Sequence, residues 1–142
     1  MKTAKQLLEA KGSQIFSITP DTHVYDALII MAEKRIGALV VLEGEHLAGI
    51  FSERDYAREV VLKGRSSKNT PVRDIMSTTV ITVSPNENVE DCMNLMSGKR
   101  IRHLPVIDNG KVVGLLSIGD LVKETIEYQK FLIKQLESYI QG

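Results

Sequence analysis

Two short segments of the chain place a serine and an aspartate three residues apart at the start of a predicted helix. Residues 49–55 read Gly-Ile-Phe-Ser-Glu-Arg-Asp, and residues 114–120 read Gly-Leu-Leu-Ser-Ile-Gly-Asp. An aspartate in the first turn of a helix can accept both hydrogen bonds of a ribose 2′,3′-diol, and the free N–H groups of the helix start suit phosphate. The spacing therefore indicates two candidate nucleotide-binding positions. Their residues are Ser52 and Asp55 in the first, and Ser117 and Asp120 in the second.

The same residues also have a structural explanation, and the residues alone leave both open. Ser-x-x-Asp at a helix start is typical of a capping box, in which the serine accepts a backbone N–H bond and the acid reaches back to the serine N–H. Capping does not explain why Gly49 and Gly114 each precede the serine by three residues. A glycine inside a strand often marks the close approach of another group to the backbone, so we expect such an approach at both positions.

The motif occurs twice because the chain contains an internal repeat. At an offset of 65 residues, segment 20–57 matches segment 85–122 without a gap, and twelve of the 38 aligned positions are identical. Each copy has a short apolar stretch, a proline, an amphipathic helix with apolar residues at i, i+3, i+4 and i+7, a hairpin, and a second helix. The apolar stretches are residues 15–18 and 80–83. Each copy is therefore predicted to fold as β-α-β-β-α.

The predicted fold class is α/β of the α+β type, with the two β-α-β-β-α repeats packed about a pseudo-twofold axis. One repeat of about 55 residues buries too little surface to be stable alone, whereas two can pack their apolar sheet faces together. The linker is interpreted as a solvated loop, with a basic phosphate-binding patch as the alternative. The predicted segments are an N-terminal helix (1–12), the first repeat (13–63), the linker (64–74), the second repeat (75–125) and a C-terminal helical extension (126–142).

Composition limits the classes of function. The chain has 142 residues, 43% of them apolar and 25% charged, which is typical of a soluble globular protein. Its 18 basic and 18 acidic side chains cancel, so no overall basic field attracts nucleic acid or an anionic membrane. The longest apolar run, residues 27–32, is too short for a membrane span, and the N-terminus lacks the apolar stretch of a signal peptide. The single cysteine, Cys92, excludes an intramolecular disulfide and favours a cytoplasmic location.

The sequence shows no recognisable catalytic motif. It has no P-loop, no G-x-G-x-x-G, no G-x-S-x-G and no metal-ligand spacing. Asp55 and Asp120 occupy equivalent places in duplicated halves, which favours equivalent binding roles over catalysis. We therefore predict that the protein is not an enzyme and that it requires no cofactor and no metal.

Tandem β-α-β-β-α units, each ending in Gly-apolar-x-Ser-x-x-Asp, resemble a pair of CBS domains, also called a Bateman module, over roughly residues 13–125. The resemblance implies a regulatory, signal-transducing module that binds AMP, ADP, ATP or NAD(H) in a cleft between the repeats. It also implies a homodimer and a downstream protein partner. The alternatives are a ligand-free scaffold or oligomerisation protein, an S-adenosylmethionine sensor, and a small nucleic-acid binder, which the neutral net charge and scarce aromatic residues oppose.

The resemblance further implies which residues of this chain would contact the ligand. Asp55 and Asp120 would bind the ribose hydroxyls, with Ser52 and Ser117 beside them. The first strand of each copy would frame the adenine: Ile15, Phe16 and Ser17 in the first copy, and Ser77, Val80 and Ile81 in the second. The start of the second strand would supply phosphate contacts or pocket wall: Gly37 and Ala38 in the first copy, and Arg102, His103, Leu104 and Pro105 in the second.

The two copies differ where phosphate is expected. Residues 102–103 are Arg-His, whereas the equivalent residues 37–38 are Gly-Ala; conversely, Arg54 corresponds to Gly119. Arginine can bind phosphate oxygens through two parallel hydrogen bonds. We expect the three basic side chains to converge on anionic groups, which would make the two pockets unequal. The alternatives are that Arg54 faces solvent and that residues 102–103 pack on the linker.

The last helix, predicted from about residue 118 to 140, carries a regular apolar pattern. The pattern has spacing 4-3-4-3-4, which is typical of a heptad seam with one polar member. A helix that lies on its own domain and a contact between subunits both explain this seam. Its members are Val122, Ile126, Gln129, Ile133, Leu136 and Ile140.

Overall fold

The structure is a computed structural model that describes residues 1–12 and 14–141, so the predicted segment bounds at residues 13 and 142 lie outside the described residues. The chain divides into two units. The first unit comprises residues 15–81 and 109–112, and the second comprises residues 1–14, 82–108 and 113–142. The predicted boundaries between segments stay predictions.

The first repeat forms a three-stranded sheet in the order β1 (Ser17–Ile18), β2 (Ala38–Glu43) and β3 (His46–Ser52). β1 pairs parallel with β2, and β2 pairs antiparallel with β3 through a hairpin. A helix connects β1 to β2, and a second helix follows β3, so the predicted β-α-β-β-α order is confirmed. The elements are β1 (Ser17–Ile18), α2 (Val24–Lys34), β2 (Ala38–Glu43), β3 (His46–Ser52), α3 (Glu53–Asp55) with a π-helical continuation (Tyr56–Val61), and a 3₁₀ turn beyond the repeat (Val72–Asp74).

The second repeat has the same order of helices and hairpin, but residues 80–83 do not form the predicted first strand. The stretch 80–83 contributes a single parallel bridge between Val83 and Val106. The Val83 N–H donates to Pro105 O at 3.1 Å, but Pro105 has no amide hydrogen with which to continue the ladder. The remaining elements are α4 (Val89–Lys99), β4 (His103–Asp108), β5 (Lys111–Ser117) and α5 (Ile118–Gln141).

The N-terminal helix, α1 (Ala4–Lys11), is part of the second unit. It begins with a capping box, because the Gln6 N–H donates to Thr3 Oγ1 at 3.3 Å and the Thr3 N–H donates to Gln6 Oε1 at 2.9 Å. It ends at Gly12, whose φ of 102° favours glycine, as predicted. The first residue of α1 donates its N–H to Glu87 O at 2.8 Å, which ties the helix to the second repeat.

The segment 64–74, interpreted from the sequence as a solvated loop, is partly folded onto the first repeat. Val72 is fully buried and Thr70 is only 7% exposed. The Val24 N–H donates to Thr70 O at 2.9 Å, and the Val72 N–H donates to Thr22 O at 2.8 Å. The first of these bonds satisfies a free donor at the start of α2. The solvated-loop interpretation is therefore wrong for residues 70–72.

The two repeats bury equivalent apolar positions. Burial of Cys92, with the nearby charges of Glu87 and Asp91, raises the pKa of its thiol to about 11, so this side chain serves as an unreactive core group. In the first repeat the core is Ile18, Val24, Ala27, Met31, Leu39, Val41, Phe51, Val60, Val72 and Ile75. The buried residues of the second repeat include Val89, Cys92, Met96, Leu104, Val106 and Leu116.

Helix α5 is 24 residues long and extends beyond the body of its unit. Leu121 and Glu124 are buried, whereas every residue from 129 to 141 is exposed. The predicted seam is uncovered along its length, from Val122 at 41% exposure to Ile140 at 80%. The interpretation that the seam lies on its own domain is therefore wrong for the end of the helix. Within the described residues, neither α5 nor another helix has the length and apolar content for crossing a membrane.

Candidate functional site

In the first unit, Ser52 and Asp55 form the predicted capping box where β3 passes into α3. The Asp55 N–H donates to Ser52 Oγ at 3.2 Å, and the Ser52 N–H donates to Asp55 Oδ2 at 2.9 Å. The Ser52 hydroxyl donates to the same carboxylate oxygen at 3.0 Å. Both residues are half-buried, so the carboxylate is held in one orientation while part of it still faces solvent.

Ser77 approaches the other oxygen of the same carboxylate. Its hydroxyl donates to Asp55 Oδ1 at 3.1 Å. Its backbone forms an antiparallel bridge with Ile50, in which each N–H donates to the carbonyl of the other residue at 3.0 Å. The sequence assigned Ser77 to the adenine side of the second copy. The structure places it in the first unit, beside the first serine–aspartate pair.

The glycine of each motif is where another segment approaches the strand. A Cβ atom added at Gly49 would lie 2.7 Å from Ser77 O and 2.8 Å from Met76 Sδ. A Cβ atom added at Gly114 would lie 2.6 Å from the Cδ1 atom of Leu8, on α1. The close approach expected from the sequence is present at both glycines. The approaching groups are Met76 and Ser77, just after the linker, in the first unit and Leu8 of α1 in the second.

In the second unit, Ser117 and Asp120 repeat the same geometry. The Asp120 N–H donates to Ser117 Oγ at 3.2 Å, and the Ser117 N–H donates to Asp120 Oδ2 at 2.9 Å. Lys11, the last residue of α1, donates to the carboxylate oxygen that corresponds to the acceptor of the Ser52 hydroxyl in the first unit. Its Nζ donates to Asp120 Oδ2 at 2.8 Å and to Leu115 O at 2.9 Å. The aspartate of the second motif is therefore paired with a cation.

Sequence reasoning missed Lys11, although the repeat contains a signal for it. The 65-residue offset aligns Lys11 with Met76, the neighbour of Ser77. Extending the alignment toward the N-terminus therefore pairs α1 with residues 69–76, whose end approaches Gly49. The low sequence similarity of these two segments hides this relationship.

The ion pair with Lys11 helps to lower the pKa of Asp120. Burial alone would raise the pKa of Asp120, but the hydrogen bond and charge of Lys11 and the bonds from Ser117 outweigh burial and hold this pKa below its ordinary value. Because the folded-state pKa is lowered, the carboxylate contributes to stability at pH values above its unfolded-state pKa. This contribution is lost as pH falls through the folded-state pKa.

The pKa of His103 reports whether Lys11 lies near this site. Burial lowers the pKa of His103, the charges of Lys11 and Arg102 lower it further, and Asp120 opposes them. We expect Lys11→Met to raise the pKa of His103, because the substitution removes a nearby positive charge. NMR titration of the imidazole measures this shift, and Lys5→Met on the same helix is the control. An unchanged His103 pKa in Lys11→Met would show that the lysine does not lie at this site in solution.

The other predicted site residues divide between the two units. The start of the second strand lies beside the serine–aspartate pair in both, because the Glu53 N–H donates to Gly37 O at 3.1 Å and the Ile118 N–H donates to Arg102 O at 2.9 Å. The first unit holds Ile15, Phe16, Ser17, Gly37, Ala38, Arg54, Val80 and Ile81, and the second holds Arg102, His103, Leu104, Pro105 and Gly119. Since Arg54 and the 102–103 pair belong to different units, their convergence stays a prediction.

The exposure of these residues differs widely. Arg102 is exposed just before β4, whereas Leu104 and Pro105 are buried within that strand. Phe16 is half-buried against the core of its repeat, with Lys34 Nζ 5.3 Å from the ring centroid. The ligand contacts assigned to these residues stay predictions.

Comparison with known proteins relates the chain to one family. A model of the CBS domain matches it twice, at residues 11–62 and 72–127. The chain is 45% identical over 138 residues to the "CBS domain-containing protein CBSX3, mitochondrial" of Arabidopsis thaliana. The match covers 94% of this chain and 66% of that protein, so the chain spans slightly less than two thirds of the length of this relative.

Solved structures show the same fold. The structure of a putative signal-transduction protein with CBS domains from Burkholderia ambifaria has a TM-score of 0.86 and 52% identity, over 89% of this chain and 95% of that chain. The CBS domain pair of protein MJ0100, solved in complex with 5′-methylthioadenosine and S-adenosyl-L-methionine, has a TM-score of 0.80 over 90% of this chain and 98% of that chain. Its identity is 22%, so this likeness concerns the fold alone.

Proposed function

The chain belongs to the CBS-domain family as a pair of repeats, and from that premise we propose that this regulatory module binds an adenosine nucleotide: AMP, ADP, ATP or NAD(H). The observation that carries the proposal is the pair of serine–aspartate helix starts. Both aspartates are half-buried, and both are oriented by the same two main-chain bonds. A carboxylate held in this way suits the two adjacent hydroxyls of a ribose.

The second position retains capacity for a ribose even though Lys11 is present. Among the described residues, the hydrogen bonds that the Asp120 carboxylate accepts both go to Oδ2, from Lys11 Nζ and from the Ser117 N–H. Oδ1 can therefore accept from a ribose hydroxyl. Lys11 would then remain beside the sugar, where its ammonium group can attract an anionic phosphate.

The two positions are expected to differ in ligand preference. Asp55 receives the neutral hydroxyl of Ser77, whereas Asp120 receives the ammonium group of Lys11. A cation next to the sugar favours a phosphorylated ligand over adenosine. We therefore expect the second position to select for phosphate, with Arg102 and His103 as further candidates. At the first position, Arg54 is the candidate phosphate-binding residue.

The proposed role is sensing without chemical conversion. A ligand regulates only through a difference in affinity between two states of the protein, so the signal must reach another molecule or a second copy. The proposal therefore includes a homodimer and a downstream protein partner. It also includes a cytoplasmic location, no membrane or nucleic-acid ligand, and no required cofactor.

A thermal-shift panel tests the proposal. We expect an adenosine nucleotide at 100 times its dissociation constant to stabilise the protein by roughly 2.7 kcal/mol, which raises Tm by roughly 5–10 °C. The panel contains AMP, ADP, ATP, NADH, S-adenosylmethionine, adenosine, GMP and a short RNA. Equal shifts with GMP and AMP would contradict adenine selection. The absence of a shift with every adenosine compound would support the alternative of a ligand-free scaffold.

A further inference from the structure

The end of α5 presents an apolar surface that the rest of the described chain does not cover. We call residues 129–141 the α5 tail; all of them are exposed. A helix in water owes most of its stability to packing of its apolar face against another part of a protein. Apolar groups clustered in this way mark an interaction surface. The large apolar residues of the tail are Phe131 (54% exposed), Leu132 (41%), Ile133 (54%), Leu136 (62%), Tyr139 (86%) and Ile140 (80%).

The tail follows a heptad, so each position can be assigned. Ile133 and Ile140 occupy position a, and Gln129 and Leu136 occupy position d. The flanking e positions carry opposite charges, Lys130 and Glu137, while the flanking g positions carry Leu132 and Tyr139. Both e residues are exposed, so both can contact a partner helix.

We propose that the α5 tails of two copies of this chain pair side by side in antiparallel orientation. In such a pair, e positions face e positions, so Lys130 of each copy meets Glu137 of the other, and twofold symmetry forms this contact twice. The g positions also face each other, which places Leu132 against Tyr139 and extends the apolar seam. The core layers then place Ile133 opposite Leu136.

The same residues oppose the parallel arrangement. In a parallel pair, a g position faces an e position, so the apolar Leu132 would lie against the charged Glu137. Lys130 would face Thr125, which offers it no opposite charge. The charge pattern is therefore self-complementary only when the two tails run in opposite directions, which identifies the occupant of the seam as a second copy.

Charge reversal in the full-length chain tests both the partner and the orientation. We expect Lys130→Glu to weaken self-association roughly tenfold at low salt, because it converts two attractive contacts into repulsive ones. The double variant Lys130→Glu/Glu137→Lys should restore it, since the opposite charges again face each other. Sedimentation over a range of protein concentrations, without nucleotide, measures the dissociation constant.

Two further variants make the result decisive. Lys134→Glu, at position b outside the seam, changes the net charge equally and should leave self-association unchanged. Ile133→Glu should abolish tail pairing while circular dichroism still shows a folded chain. An unaltered dissociation constant in Lys130→Glu would overturn the proposal. Failure of the double variant to restore association would overturn the antiparallel arrangement.

Discussion

Asp55→Asn is expected to weaken binding of an adenosine nucleotide by about 10- to 100-fold. The amide keeps the size of the side chain and one acceptor oxygen, but it loses the negative charge and cannot accept equally from two hydroxyls. A hydrogen bond to a charged group contributes roughly 1.5–3 kcal/mol, and about 1.4 kcal/mol corresponds to a tenfold change in affinity. Isothermal titration calorimetry well below the melting temperature measures this loss separately from any change in stability.

Two companion substitutions separate the sugar contact from other effects. Asp120→Asn removes the equivalent carboxylate, and we expect a comparable loss at the second position. Asp26→Asn changes an exposed carboxylate in the first turn of α2 and should bind nucleotide as the unmodified protein does. If Asp55→Asn, Asp120→Asn and the unmodified protein bound equally well, neither aspartate would be a ribose ligand.

Gly49→Ala is expected to lower the free energy of unfolding by about 2 kcal/mol. The added Cβ would lie 2.7 Å from Ser77 O, which is a backbone atom. This carbonyl cannot move away without lengthening its hydrogen bond from the Ile50 N–H, which is 3.0 Å in the native fold. Extra atoms forced into a packed site typically cost about 1–3 kcal/mol. Chemical denaturation followed by circular dichroism measures the change.

Gly98→Ala provides a control with the opposite expected sign. Gly98 lies in α4, and a Cβ added there meets nothing within 4 Å. The substitution should therefore raise the free energy of unfolding by about 0.5–1 kcal/mol, because alanine restricts the unfolded chain and favours the helix. If both alanine variants proved more stable than the unmodified protein, Ser77 would not contact β3 at Gly49 in solution.

The features that the sequence predicts correctly depend on short-range patterns. The helices and hairpins follow from apolar periodicity, and the repeat shows where each element recurs. The Ser52–Asp55 and Ser117–Asp120 capping geometries also form between residues three positions apart, so their spacing alone specifies them. Pro105, within β4, is apparent from the sequence. Its effect on residues 80–83 is not, because that effect depends on which segments pair.

The features that the sequence does not reveal depend on long-range contacts. Ser77 donates to a carboxylate 22 positions away, and Lys11 donates to one 109 positions away. Neither partner belongs to the recognisable motif, and only the folded chain brings them to it. Burial of Val72 is similar, because the linker composition is polar while one of its apolar side chains fills the core of the first repeat.

The placement of α1 limits how segments of the chain can be exchanged between related proteins. The helix stands at the beginning of the chain, yet it covers Gly114 and supplies the cation at Asp120 in the later repeat. A transplanted fragment that starts after the linker would leave behind this covering helix and its lysine. A functional exchange between related proteins must therefore carry two separate stretches of sequence together, and a single cut between the halves would leave both pieces incomplete.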